Sequence, residues 1–202
     1  MVLSPVFIDV LRAAHLVLFA AGMGTALFHD YRTCRDLHAP IKTSDIRSIE
    51  QLHRWIVCAF AGLWGTGLIL IYIRTGFDLS TFSPKLWVKV SLMALMTVNA
   101  LMIAMFVLPV LRRNVGRPML DLAPRDMVVA SQLAIISMFC WSSGMVLGSS
   151  AYLKTAPWEV LMPLAVGWFV LCTIGGQVGM MVLRTRVLAV VECPDRRSLD
   201  RG

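Results

Sequence analysis

Five separate stretches of the chain are apolar over about 20 residues or more, and this feature limits the fold more than any other. They cover about residues 6–28, 54–73, 86–111, 127–150 and 159–183. The hydrocarbon core of a bilayer is about 30 Å thick and an α-helix rises about 1.5 Å per residue, so about 20 apolar residues cross it. The segments between the stretches are too short for another domain. The sequence therefore predicts a single all-α domain, a polytopic bundle of five transmembrane helices.

Local signals place the ends of the predicted helices. Ser83-Pro84 has the pattern of an N-cap followed by a proline, and Pro124 and Pro157 open the next two helices. From residue 44 onward apolar residues recur at helical spacing, and Glu50 is placed to pair with Arg54 at i,i+4. The predicted helices therefore cover about 6–28, 45–74, 84–111, 125–150 and 157–186, and residues 187–202 form a short cytoplasmic tail.

The composition agrees with a membrane location. Hydrophobic residues make up 57% of the sequence and charged residues 15%, against about 45–50% and about 25% in soluble domains. These values exclude a soluble enzyme, a disordered chain and a disulfide-rich secreted module. The five cysteines show no CxxC spacing, so we expect thiols rather than disulfides or a zinc site.

The net charge of +7 is explained by where the basic residues lie. Most are in the first loop, the third loop and the tail: Arg32, Arg35, Lys42, Arg47, Arg112, Arg113, Arg117, Arg125, Arg184, Arg186, Arg196, Arg197 and Arg201. The opposite side has only three at or near the ends of spans, namely Arg74, Lys85 and Lys154. The positive-inside rule then predicts an outside N-terminus and a cytoplasmic C-terminus. The expected partner of these cations is the lipid bilayer and not nucleic acid.

Three ionisable residues interrupt the first apolar stretch, which favours a retained membrane helix over a cleaved signal peptide. Asp9 and Arg12 are spaced i,i+3, so they are expected to pair near the membrane surface. His15 lies deeper, about 15 Å along the helix from Pro5. Ionisable residues at that depth are functional candidates.

Two histidines of the first helix share one face with a glycine, because His15, Gly22 and His29 follow at heptad intervals. The glycine would leave space for a flat macrocycle, but it would equally let a neighbouring helix approach. Cytochrome b proteins with two hemes need four histidines on two helices, and here the others are His38, in a loop, and His53. His29 and His53 can meet at the cytoplasmic edge, which leaves His15 without a histidine partner. A two-heme cytochrome is therefore not predicted, and His15 is the first candidate ligand of a heme iron, ahead of His29 and His53.

Lys89 is the other candidate, for catalysis or for cofactor binding. It lies near the start of the third helix, which enters the membrane from the same side as the first. Lys89 and His15 can therefore reach similar depths. Three polar residues of the spans are expected to lie not far below and to hydrogen-bond with one another: Thr66, Asn99 and Ser142. Together these residues predict a polar site in the outer half of the bundle.

Three short runs carry a resemblance to known proteins: Leu11-Arg12-Ala13-Ala14-His15-Leu16, Trp64-Gly65-Thr66-Gly67 and Ser83-Pro84-Lys85-Leu86-Trp87-Val88-Lys89-Val90. They resemble a broad group of bacterial inner-membrane proteins that includes the copper-resistance D superfamily and the HemJ-type protoporphyrinogen oxidases. The likeness covers about residues 5–113. In HemJ-type proteins, which have four helices, a histidine of helix one and a lysine opening helix three are associated with heme and needed for activity. The resemblance implies those roles for His15 and Lys89.

Three functions follow as expectations. The first is an integral inner-membrane protein that binds heme b or another tetrapyrrole within the bundle, with the iron at His15. The second is a HemJ-like membrane oxidoreductase that passes electrons from a porphyrinogen to the respiratory chain, with Lys89 assisting. The third is a cofactor-free accessory subunit or small-solute permease. For all three, other membrane subunits or a homo-oligomer are the expected partners besides the bilayer. The sequence leaves open whether the protein is an enzyme.

Overall fold

The computed structural model describes residues 4–191 of the chain, and the side chains of residues 4–185. Five long helices make up most of this part: α1 (Pro5–Arg35), α2 (Thr43–Thr75), α3 (Pro84–Arg113), α4 (Pro124–Ser149) and α5 (Trp158–Val191). All five are long and apolar enough to cross a membrane. The predicted all-α bundle of five helices is confirmed, and the protein is a multi-pass integral membrane protein. Residues 192–202, which include most of the predicted tail, lie outside the described residues.

The helices begin where the sequence supplies a cap. The Ser4 hydroxyl accepts a hydrogen bond from the Phe7 N–H at the start of α1, and the Ser83 hydroxyl accepts one from the Leu86 N–H at the start of α3. The α1 helix continues to Arg35, past the predicted end at residue 28. Polar residues end the apolar stretch there, but they are compatible with a helix that projects beyond the membrane.

The α3 helix is interrupted near its end. It is α-helical over Pro84–Met102, forms a π-helical turn over Ile103–Val107 and becomes α-helical again over Leu108–Arg113. Pro109 lies two residues after the end of the π turn and has no N–H to donate to the preceding turn. The irregular turn therefore lies where the regular hydrogen-bond pattern cannot continue.

The centre of the bundle is the side chain of Trp141 on α4, which is 2% exposed. Its ring centroid lies 5.2 Å from that of Phe19 on α1 and 5.6 Å from that of Phe60 on α2. In lipid, where helices gain little from hydrophobic association, such close packing is what holds them together. The outward faces of α1 and α5 instead carry exposed apolar side chains, for example Leu16 and Met181, as expected of surfaces in contact with lipid.

The predicted cytoplasmic end is closed by contacts between two loops. The Ile41 N–H donates to the Arg117 carbonyl at 3.0 Å, and the Gly116 N–H donates to the Ile41 carbonyl at 2.9 Å. Glu50 pairs with Arg112 of α3 at 2.7 Å and not with Arg54, the partner expected from the i,i+4 spacing. The expectation was wrong because a partner on another helix lies within reach of the carboxylate. These contacts fix the α1–α2 pair against α3 and α4 at this end.

Candidate functional site

His15 is held by a hydrogen bond to the neighbouring helix. Its Nδ1 atom lies 2.7 Å from the Thr66 hydroxyl of α2. That hydroxyl donates its single proton to the Gly62 carbonyl one turn earlier, at 2.7 Å. With its proton directed there, the hydroxyl accepts the Nδ1 proton of His15; this assignment from the hydrogen-bond network leaves the Nε2 atom with a lone pair.

Two glycines of α2 make this contact short. A Cβ atom at Gly62 would lie 2.8 Å from a terminal methyl group of Leu18 on α1, so this side chain packs directly on the glycine. A Cβ atom at Gly67 would lie 3.5 Å from the His15 Cε1 atom, so the imidazole packs directly against the α2 backbone. The ring is half-buried and its orientation is set from one side by α2.

The space beside Gly22 is filled by a side chain. A Cβ atom at Gly22 would lie 2.6 Å from the Cη2 atom of Trp141, so the indole of α4 packs directly on this glycine. Gly22, on the helix face that carries His15 and His29, could leave space for a macrocycle or let a neighbouring helix approach. The structure has the second arrangement, the close approach of a helix. A macrocycle does not fit between α1 and α4 at this level.

The other candidate histidines do not join this site. His29 lies near the predicted cytoplasmic end, where its Nδ1 atom is 3.4 Å from the Thr33 hydroxyl and 3.9 Å from the Asp30 carboxylate. Among the described contacts His29 makes no hydrogen bond with His53, which is half-buried on α2. Within residues 4–191, no group of three or more His, Cys, Asp or Glu side chains is arranged to hold a metal ion.

Lys89 lies close enough to His15 for its charge to act on the imidazole. It is exposed, and it lines a cavity of about 260 Å³ at the predicted outer end of the bundle. Three further cations line the same cavity: Arg74, Lys85 and Lys154. Sequence reasoning recognised these three as the few basic residues on that side but did not predict that they meet.

The expected network of Thr66, Asn99 and Ser142 is not formed. Thr66 bonds to His15, whereas the Asn99 side-chain amide donates to the Leu133 carbonyl of α4 at 3.1 Å. Ser142 accepts a hydrogen bond from the Trp168 indole N–H of α5 at 2.9 Å. The prediction was wrong because each of these side chains faces a different helix, and the rotation of a helix about its axis is not fixed by hydropathy alone.

No family model, no curated protein and no solved structure matches this chain. The resemblance to the copper-resistance D superfamily and to HemJ-type proteins therefore depends on the three short runs alone.

Proposed function

We propose that the protein is a multi-pass protein of the bacterial inner membrane, with its N-terminus outside, that binds heme b or a related tetrapyrrole through His15. The observation that carries the proposal is the hydrogen bond from His15 Nδ1 to Thr66. Histidines that bind metals characteristically donate the other ring N–H to an oxygen, which fixes the tautomer and orients the ring. His15 has this arrangement, with Nε2 as the available donor atom to iron.

The packing around His15 limits where a tetrapyrrole could lie. Trp141 excludes the macrocycle from the space between α1 and α4. Lys89 lies within electrostatic range of His15, and its ammonium group would attract the carboxylates of a tetrapyrrole. A tetrapyrrole bound here would have His15 as its one histidine ligand and would lie outside the space that Trp141 fills. A bound heme would supply one-electron redox chemistry, while His15, Thr66 and Lys89 would hold and orient it.

A reduced-minus-oxidised visible spectrum of the protein, expressed with ample heme and purified in mild detergent, tests this proposal. We expect a Soret band that His15→Ala abolishes and that His53→Ala leaves unchanged, since His53 lies outside the site. A band that survives in His15→Ala would show that the ligand is elsewhere. Complete absence of the band in the wild type would refute tetrapyrrole binding and favour a cofactor-free accessory subunit or permease, working in a homo-oligomer or with other membrane subunits.

A HemJ-like oxidoreductase is the second candidate function. The feature that favours it is that Lys89 lies within electrostatic range of His15, since these are the two residues to which the resemblance assigns activity. Membranes containing the protein would then oxidise protoporphyrinogen and reduce the respiratory chain, with Lys89→Met losing this activity while the Soret band is kept. Activity equal to that of control membranes would leave heme binding in place and refute the oxidase.

A further inference from the structure

The cations of the predicted outer end converge on one cavity. Arg74 lies in the last turn of α2, Lys85 and Lys89 lie in the first turns of α3, and Lys154 lies in the short 3₁₀ turn that follows α4. Together with Ser83, Leu86 and Gly148 they line a cavity of about 260 Å³. Four side chains from three separate segments thus bring positive charge to a single small volume.

No carboxylate neutralises this charge within the described residues. None of the ion pairs of residues 4–185 includes any of the four cations. The Lys85 ammonium donates to the Ser150 carbonyl at 3.1 Å, which anchors it at the cavity without cancelling its charge. Asp9, a carboxylate of the same end, pairs with Arg12 at 3.2 Å. The uncompensated like charges repel each other, and a bound anion would remove that repulsion.

The start of α3 adds to the positive potential. Proline occupies the first helical position, and Ser83, whose hydroxyl caps the helix, is one of the residues that line the cavity. The N-terminus of a helix carries a partial positive charge that favours anions. The cavity therefore combines a helix dipole with four charged side chains that approach from different directions.

We propose that this cavity binds a phosphate group, carried either by the headgroup of an anionic phospholipid or by a small free phosphate. A phosphate offers several acceptor oxygens to donors from different directions, whereas a carboxylate offers a planar pair suited to one guanidinium. The cavity is smaller than the roughly 300–1,000 Å³ of sites that enclose a drug-sized ligand, so it suits a headgroup and not a whole cofactor. The cavity shares Lys89 with the proposed tetrapyrrole site, but the inference depends on neither His15 nor a tetrapyrrole, because Arg74, Lys85 and Lys154 line the cavity as well.

The test uses the full-length protein in an uncharged detergent and has two arms at fixed ionic strength. Isothermal titration with inorganic phosphate measures a free ligand, and native mass spectrometry with equal amounts of phosphatidylglycerol and phosphatidylcholine measures a lipid ligand. We expect binding in at least one arm. Loss of one charge-assisted contact is worth on the order of 1.4 kcal/mol, so Lys85→Gln and Arg74→Gln should each weaken it about tenfold.

Two controls separate the loss of a site from the loss of a fold. Arg113→Gln removes an exposed positive charge at the opposite end of α3 and should change the affinity less than about twofold. Lys85→Arg keeps the charge and should keep binding within the same range, which a fold defect would not allow. Binding of phosphatidylglycerol alone identifies the lipid source, and binding of phosphate identifies the free one.

Several results would overturn the proposal. They are no binding in either arm, equal retention of the two lipids without phosphate binding, or equal affinity of the wild type and Lys85→Gln. The outcome is independent of the heme proposal, because His15→Ala should abolish the Soret band and leave phosphate binding unchanged. Lys85→Gln should have the opposite pattern.

Discussion

The contact between Gly22 and Trp141 gives the sharpest test of how the five helices pack. Replacing Gly22 by alanine places a methyl group where the structure leaves 2.6 Å to the Trp141 Cη2 atom. The indole cannot move away easily, since it is 2% exposed and packs against Phe19 and Phe60. Gly24, two residues further along the same helix, has no atom within 4 Å of the position of a Cβ. The pair of variants therefore separates crowding from the general effect of an alanine in α1.

The magnitude follows from two opposing effects. Alanine favours the helix over glycine by up to about 1 kcal/mol, and this gain is common to both positions. Inserting a methyl group into a packed core costs about 1–3 kcal/mol, and this loss applies to Gly22 alone. We therefore expect Gly24→Ala to be neutral or stabilising, and Gly22→Ala to have a free energy of unfolding lower than that of Gly24→Ala by about 1–3 kcal/mol.

The assay is unfolding in mixed micelles of mild detergent and dodecyl sulfate, followed by circular dichroism and by tryptophan fluorescence. Fluorescence reports on the Trp141 environment as well as on the global transition, so Gly22→Ala should also change the native emission. If Gly22→Ala is as stable as Gly24→Ala, the indole does not lie on Gly22. The exclusion of a macrocycle from that space would then fail as well.

Three further predictions concern polar contacts. Thr66→Val keeps the shape of the side chain but removes the acceptor for His15, so the affinity for titrated hemin should fall about 10- to 100-fold. An unchanged affinity would contradict the role of Thr66 in orienting the imidazole. A hydrogen bond from the Arg35 guanidinium holds the pKa of Asp36 below its ordinary value of 3.8. The contribution of Asp36 to stability is therefore complete above pH 3.8 and is lost as the pH falls through the lowered pKa. Asp36→Asn should therefore unfold with a weaker pH dependence below about pH 4 than the wild type in thermal melts. Glu50→Gln removes the half-exposed ion pair with Arg112, so it should lower the free energy of unfolding by no more than about 1 kcal/mol in the micelle assay. A larger loss would show that the contact between the two loops depends on this pair.

The helices themselves could be predicted because the membrane imposes a length. Five apolar stretches of sufficient length, with caps such as Ser83 and prolines such as Pro124, place the helices within a few residues at most ends. The end of α1 differed because hydropathy reports where the lipid ends and not where the helix ends. The π turn before Pro109 was not predicted either, since the sequence marks the missing donor but not how the chain accommodates it.

The candidate site was harder to predict because it depends on which helices are neighbours. His15 could be selected from its depth alone, but its partner Thr66 is 51 residues away in the sequence. Thr66 was instead assigned to a network with Asn99 and Ser142, since all three are polar residues of the spans. The packing of Gly62 against Leu18 and of Gly67 against His15 shows which face of α2 meets α1.

The cations at the two ends of the bundle differ in whether they pair with carboxylates among the described residues. At the predicted cytoplasmic end Arg32, Arg35 and Arg112 each pair with a carboxylate, as the structure of residues 4–185 records. Arg74, Lys85 and Lys154, at the other end, oppose the positive-inside rule, which selects against outside cations. The rule therefore predicts that removing these three cations leaves the orientation of the chain unchanged or favours it. We therefore expect the triple substitution to glutamine to keep the orientation of the chain, measured with reporter fusions at the C-terminus, while it abolishes phosphate binding. An inverted orientation would instead show that these cations determine the topology. Their position around one cavity would then be explained without a bound phosphate.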